Sequence, residues 1–365
     1  MVNGRVSTRE ISPLESAESS DARSESIIEG FAVETEDHLI FTVKGVLHPS
    51  DHLIAYLRYA PDPAGARERA GRRYRRLYHF DEQEALLEAV RPAFLVRDCV
   101  LGVRVQRVPR RCVRRVYDPC RRLAALRRQG VTEKGASPAT EREILRLDSL
   151  VRKAAGAPAR NLGISGSILL GLQRPDSDID VLVYGERVGR AVHTALHDLV
   201  ADGSYPLRRP NGRELAALHA EHRKDTPLSF RDFVRMQRRK VNELRFRGRE
   251  VFFRFVKYPG EVGWAYGDRR FEPEGIATIQ ATISDDEDAI FTPSRYEVTE
   301  AAVLGGATPE SLDEIVAYRG RFSNQAFSHE RVEARGVLEQ VVGPGGELHH
   351  RLVVGGQAGD YVVVL

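Results

Sequence analysis

Residues 163–185 read GISGSILLGLQRPDSDIDVLVYG, and the order of features in this stretch decides the fold. Leu162–Ile164 is a short strand-like run, Ser165-Gly166 a turn, Ser167–Leu172 a helix, and Ile179–Tyr184 a second strand. Gly166 lets the backbone turn sharply and approach a ligand with no Cβ in the way. Ser167 opens a helix, where free N–H groups and the dipole favour phosphate. Asp178 and Asp180 stand two apart at the head of the second strand, so period-2 geometry sets both carboxylates on one face. Carboxylates held in that way, opposite a phosphate-binding turn, suit two Mg²⁺ ions about 3.5–4 Å apart. A DSDID string alone often marks a solvated loop, and a lone Gly-Ser carries no information. Strand, Gly-Ser turn, helix, loop, DxD and strand in succession are far rarer.

This stretch resembles the signature of the DNA polymerase beta-like nucleotidyltransferase superfamily. It is similar in particular to the minimal nucleotidyltransferase form, with its Gly-Ser, a second glycine at Gly171, and the SDID run Ser177–Asp180. The specific match covers residues 160–185, with looser similarity as far as 257. The layout of the whole chain resembles an archaeal group of predicted nucleotidyltransferases carrying an extra N-terminal region and a β-rich tail. The resemblance implies Mg²⁺- or Mn²⁺-dependent transfer of a nucleoside monophosphate from a nucleoside triphosphate (NTP) to an acceptor hydroxyl on RNA, protein or a small molecule. Asp178 and Asp180 would hold metal, while Gly166 and Ser167 would hold the β- and γ-phosphates.

The same pattern implies a third carboxylate on a neighbouring strand, and the best candidate is Glu250. On the strand-like run Glu250–Val256, residues Glu250, Phe252 and Arg254 share one face, and Val251, Phe253 and Phe255 take the other. Arg254 and Lys257 are the candidate triphosphate contacts from this segment. The rival reading is a catalytically silent nucleotide- or RNA-binding module that keeps only part of the site.

Upstream, Ser137 as N-cap and Pro138 in the first turn open a helix whose apolar stripe is Ile144, Leu147, Leu150, Val151 and Ala154, ended by Gly156. Downstream, helices are expected at Val188–Val200, Glu214–His222 and Phe230–Leu244, the second with Asn211 and Glu214 at capping-box spacing. From Pro273 onward the chain turns strand-rich, with runs at Ala277–Ser284, Ala289–Phe291, Val332–Val342, Leu348–Val354 and Tyr361–Leu365 that suggest a small barrel or sandwich. Before the linker at Gly130–Pro138, the runs Phe31–Val33, Leu39–Val46 and Leu53–Tyr59 read as antiparallel strands and Asp81–Val90 as a helix.

The fold class is therefore α/β (α+β), with a central nucleotidyltransferase-type mixed sheet and helices, a β-containing N-terminal region and a β-rich C-terminal domain. The expected divisions are a disordered tail at 1–27, an Arg-rich α+β region at 28–130, the catalytic domain at 137–258 and the β-rich domain at 273–365.

Composition narrows the partners. The chain is 42% hydrophobic and 29% charged, which suits folded cores, and no apolar run approaches the roughly 18–20 residues that cross a bilayer. The polar start, Met1 to Ser26, lacks the pattern of a signal peptide, so the cytoplasm is the expected location and no membrane partner is expected. Cys99, Cys112 and Cys120 are odd in number without a CxxC pair, and read as free thiols. The net charge of +3 conceals an asymmetry: residues 66–130 hold 18 arginines, no lysine and 7 acids. Such a local excess is an electrostatic footprint for RNA or another polyanion. Trp264, Tyr266 and Phe271 could stack on a base or pack between domains.

Overall fold

The computed structural model describes residues 26–130 and 138–365. The predicted Ser137 cap, and nearly all of the predicted N-terminal tail, lie outside the described residues. The fold is α+β and is built on three sheets.

The central sheet has five strands in the order Leu207–Arg208, Glu243–Phe246, Arg249–Val256, Ile179–Tyr184 and Leu162–Ile164. Ile179–Tyr184 runs parallel to Arg249–Val256, with Asp180 level with Phe252, and the other pairings are antiparallel. Alternation along the strands gives the sheet two different faces. Ile179, Val181, Val183, Val251, Phe253 and Phe255 point into one apolar core with Ile144, Leu147 and Val151 of helix Pro138–Ala155 and Val192, Leu196 and Leu199 of helix Glu186–Asp202. Leu123 and Leu126 of helix Pro119–Gln129 join that core, so the last helix of the Arg-rich segment packs with the central sheet. The opposite face carries Asp180 and Arg254, and farther along Leu182, Tyr184 and Val256, which pack under Ile28 and Val46 of the N-terminal region.

One sequence expectation is corrected in this part of the chain. The helix expected over Phe230–Leu244 ends at Gln237, and Glu243–Phe246 forms a strand of the central sheet, paired to Arg249–Val256 across a tight turn. Its alternating pattern, with Leu244 and Phe246 buried against the helices, is strand periodicity concealed by the helical residues before it. The capping box of Asn211 and Glu214 is present as expected.

The N-terminal sheet has eight strands built on Ala32–Thr35, Ile40–Val43 and His52–Pro61, which pair antiparallel in succession. The hairpin Arg67–Arg69/Arg72–Arg76 extends it beside His52–Pro61 and reaches over the central domain. Arg67 donates to the Leu172 carbonyl at 3.0 Å, and Arg69 donates to the Leu170 carbonyl at 3.2 Å and to Glu34 at 2.9 Å. Glu34, itself buried, also accepts from the Tyr117 hydroxyl. Breaking this half-buried pair strands a carboxylate in the interior, so Arg69→Ala should lower stability by about 3 kcal/mol. Denaturant unfolding that shows a loss below about 1 kcal/mol, the range of an exposed pair, would mean the hairpin is held otherwise.

The C-terminal strands close into a ring. Arg270–Asp285 pairs with both Ser294–Gly306 and Arg331–Val342, and Glu314–Ala317 and Leu348–Val354 complete the circuit, with Tyr361–Val364 added outside it. The interior holds Ile279, Ala281, Ile283, Ile315, Leu338 and Leu352. Ala289–Phe291, expected as a strand, is instead a turn touching the central sheet by a single bridge from Phe291 to Phe255. Its apolar residues are buried because the turn plugs the join between barrel and central sheet, a tertiary role that mimics strand composition.

Candidate active site

The central sheet, the N-terminal sheet and the barrel meet around a cavity of about 1180 Å³. Gly166, Ser167, Asp178, Asp180, Glu250 and Arg254 all line it.

Gly166 has φ 64, a conformation open to glycine, and begins a short helix, Gly166–Leu170, that ends on the left-handed Gly171. The reason for glycine is steric as well as conformational. A Cβ on Gly166 would lie 2.1 Å from Asp180 Oδ2, so the backbone of the turn rests directly on the second aspartate's carboxylate. Ser165 N donates to the Asp180 carbonyl at 2.9 Å, and Ser165 Oγ to the Gly30 carbonyl at 2.9 Å. Ser167 is buried, with its Oγ 3.3 Å from Ser177 Oγ, and Ser177 Oγ also accepts from Arg174 N at 2.9 Å. The two serines thus lock the Gly-Ser turn to the loop that delivers Asp178.

Asp180 is half-buried in this cavity. Its carboxyl is pushed up to about 6, first by burial and then by the neighbouring Asp178, against the lowering influence of Arg254, Arg76 and Arg58. Two of those cations come from the N-terminal sheet and had no signal in the catalytic motif. A third element from that region is Glu29, which is buried and salt-bridged to Arg254 at 2.9 Å and Lys44 at 3.1 Å. Burial acts to raise the Glu29 carboxyl, and Lys44 and Arg254 outweigh it, holding it below the ordinary range. Glu29 in turn holds the Arg254 guanidinium within the field of Asp180.

Glu250 does not join the aspartates. Its strand lies beside theirs, as expected, and one residue before the Val251–Ile179 pair. The side chain, however, is 60% exposed and bound to Arg245 Nη2 at 2.6 Å. Among the described residues no group of three or more His, Cys, Asp or Glu side chains is gathered to hold a metal. Arg245 stands opposite Glu250 in the antiparallel pair with Glu243–Phe246, a strand whose first two residues fall within the expected Phe230–Leu244 helix, so this pairing has no signal in the sequence. The same strand brings Glu243 level with Phe252 and into the cavity lining, its carboxyl raised by burial and bonded by Gln237.

Lys257 lines the same cavity, but farther from the aspartates. It follows the strand's end, five positions beyond the level of Asp180 and so roughly 16 Å along the strand. There it binds Asp288 at 2.8 Å and Glu186 at 3.1 Å and lies over Phe291, joining the central domain to the barrel. Tyr266 donates to Asp98 at 2.5 Å, and Trp264 packs on the buried Phe271. Within residues 66–130, Arg69, Arg75, Arg91, Arg104, Arg107, Arg122 and Arg127 are engaged by acids. Much of the basic excess therefore serves internal pairing. Arg110, Arg111, Arg114, Arg115 and Arg121 remain exposed on and around the edge strand Val113–Tyr117.

Residues 151–228 match the nucleotidyltransferase domain family, a span that includes the Gly-Ser turn and both aspartates. The chain is 27% identical over 331 residues to an uncharacterized protein of Methanocaldococcus jannaschii, covering 88% of this chain and 94% of that protein. The similarity thus extends across the N-terminal sheet and the barrel as well as the central domain. No solved structure matches the chain. Among the described residues no helix is long and apolar enough to cross a membrane.

Proposed function

We propose that the chain moves a nucleoside monophosphate from a nucleoside triphosphate to an acceptor hydroxyl, releasing pyrophosphate, with Asp178 and Asp180 as metal-binding and catalytic carboxylates. The observation that carries this reading is the seating of Gly166 against the Asp180 carboxylate. It sets a phosphate-receiving turn and a carboxylate in contact, where a metal-bound triphosphate needs them.

The donor set fits a hard divalent cation: burial and then Asp178 raise the cost of ionising Asp180, with a cation as the natural relief. Mg²⁺ or Mn²⁺ bound there would make the acceptor hydroxyl easier to deprotonate and neutralise charge on the leaving pyrophosphate. The N–H groups of Gly166 and Ser167 would orient the phosphates, and Arg254, steadied by Glu29, would balance the charge of the transferred group. The acceptor is an RNA end, a protein side chain or a small molecule. The exposed arginines about Val113–Tyr117 favour a polyanionic one.

The absence of a third gathered carboxylate among the described residues supports a second reading, a module that binds nucleotide without transferring it. Incubation with each labelled triphosphate, Mg²⁺ or Mn²⁺, and RNA or protein separates the two. Label in product supports transfer, and metal-dependent binding without turnover supports the silent module. Because Glu250 is exposed and paired to Arg245, Glu250→Gln should keep turnover within about fivefold of the parent. A drop of a hundredfold or more would mean that Glu250 leaves Arg245 and acts on the metal after all.

A further inference from the structure

Two arginines in the cavity lack what their neighbours have. Arg69 holds Glu34, Arg75 holds Glu82, Arg245 holds Glu250 and Arg254 holds Glu29. Arg58 and Arg76 form no ion pair with any carboxylate among the described residues. Arg58 Nη1 donates to the Leu77 carbonyl at 3.1 Å, whereas Arg76 Nε is buried with no hydrogen-bond partner. An orphaned buried guanidinium nitrogen is costly unless something polar reaches it.

The pair is also built as a pair. Arg58 lies on His52–Pro61, and Arg76 ends the next strand, level with Tyr59. Both guanidinium groups lie over one ring, Tyr78, at 5.0 Å for Arg58 and 4.4 Å for Arg76. Burial and then the charge of Arg76 depress the Arg58 guanidinium, outweighing the opposing influence of Tyr59, Tyr78 and Asp180, so the two like charges stand together with no carboxylate in ion-pair contact. Both line the cavity that holds the Gly-Ser turn and the aspartates, and both act on Asp180 from across it. The hairpin that carries Arg76 is fastened by Arg67 and Arg69 to the Leu170 and Leu172 carbonyls, at the end of the helix that begins at Gly166. Its position relative to the turn is therefore set by hydrogen bonds and not by a free linker.

We propose that Arg58 and Arg76 clamp the polyphosphate of the nucleotide, so that the N-terminal sheet supplies the half of the phosphate site facing Gly166 and Ser167. This rests on the nucleotidyltransferase reading of the cavity. The planar guanidinium fork matches phosphate oxygens two at a time, and two adjacent forks with no ion-paired carboxylate match a ligand carrying several anionic oxygens on neighbouring phosphorus atoms. A nucleoside triphosphate meets that requirement, and a nucleoside monophosphate does so poorly. The Arg-rich segment thereby contributes to the catalytic cavity itself and not only to an outer surface.

The test is equilibrium binding by calorimetry to the full chain, with Mg²⁺ and α,β-methylene nucleoside triphosphates to prevent turnover, against the matching monophosphates. Arg58→Gln and Arg76→Gln should each weaken triphosphate binding roughly tenfold or more, and together roughly a hundredfold, with monophosphate binding little changed. Arg58→Lys and Arg76→Lys should recover part of the loss, and they carry the test if a glutamine variant fails to fold. Folded variants that bind triphosphate as the parent does would overturn the clamp and leave the transferase reading standing. A parent chain with no preference for triphosphate over monophosphate would overturn both. Unchanged triphosphate binding with loss of affinity for a single-stranded RNA oligomer would assign the two arginines to the acceptor and end the proposal.

Discussion

Asp180→Asn is expected to abolish nucleotidyl transfer, lowering turnover by at least about a thousandfold, while the protein gains stability at neutral pH. The loss of activity follows from removing one of two carboxylates that share a strand face beside the phosphate-receiving turn. The gain follows from the cost of keeping that carboxylate in the cavity. Burial, with Asp178 beside it, pushes the Asp180 carboxyl up to about 6 from 3.8. A carboxyl that holds its proton more tightly folded than unfolded favours the fold below its ordinary pKa, and that contribution is lost as pH rises through about 6. Asparagine has no such proton to lose. The variant should therefore unfold at a higher temperature than the parent at pH 7.5, with the gap closing toward pH 4. Adding Mg²⁺ at pH 7.5 should raise the parent's unfolding temperature and leave that of Asp180→Asn nearly unmoved, since the cation relieves a repulsion that only the parent has. Thermal scans at the two pH values with and without Mg²⁺ make the measurement. A gap that widens on acidification, or a variant that keeps turnover, would refute the assignment.

Gly166→Ala should cost both stability and activity, and a neighbouring glycine separates the two effects. Alanine at φ 64 carries a left-handed strain of about 1–2 kcal/mol. At Gly166 the new methyl would also meet Asp180 Oδ2 at 2.1 Å, so the carboxylate must move or the turn must open. A displacement on that scale at the reacting centre lowers turnover by about a hundredfold or more. Gly171 has almost the same backbone, φ 67, but there the nearest atom to a Cβ is Arg69 Cδ at 3.8 Å. Gly171→Ala should thus lose similar stability and keep most of its activity. Equal activity in Gly166→Ala and Gly171→Ala would show that contact between turn and carboxylate plays no part in the chemistry.

The parts of this protein readable from sequence are those whose determinants are near one another along the chain. The Gly-Ser turn, the DxD strand, the apolar trio Val251, Phe253 and Phe255, and the helices on either side each follow from a local periodicity or a local steric need. The strand Glu243–Phe246 was concealed because only a few of its residues alternate, directly after a helical run. Ala289–Phe291 misled because apolar composition reports burial and not the element that achieves it.

Sequence alone determined that the Gly-Ser turn meets the aspartate-bearing strand, since a glycine, a strand period of two and a short loop leave little other geometry. Tertiary structure decided everything about charge around them. Arg245 holds Glu250, Asp288 and Glu186 hold Lys257, Glu29 holds Arg254, and the N-terminal sheet brings Arg58 and Arg76 within the field of Asp180. Ion pairing depends on distance in space between residues that can be more than two hundred positions apart, as Glu29 and Arg254 are. Coulomb attraction has no period along the chain, so such choices leave no local pattern to read.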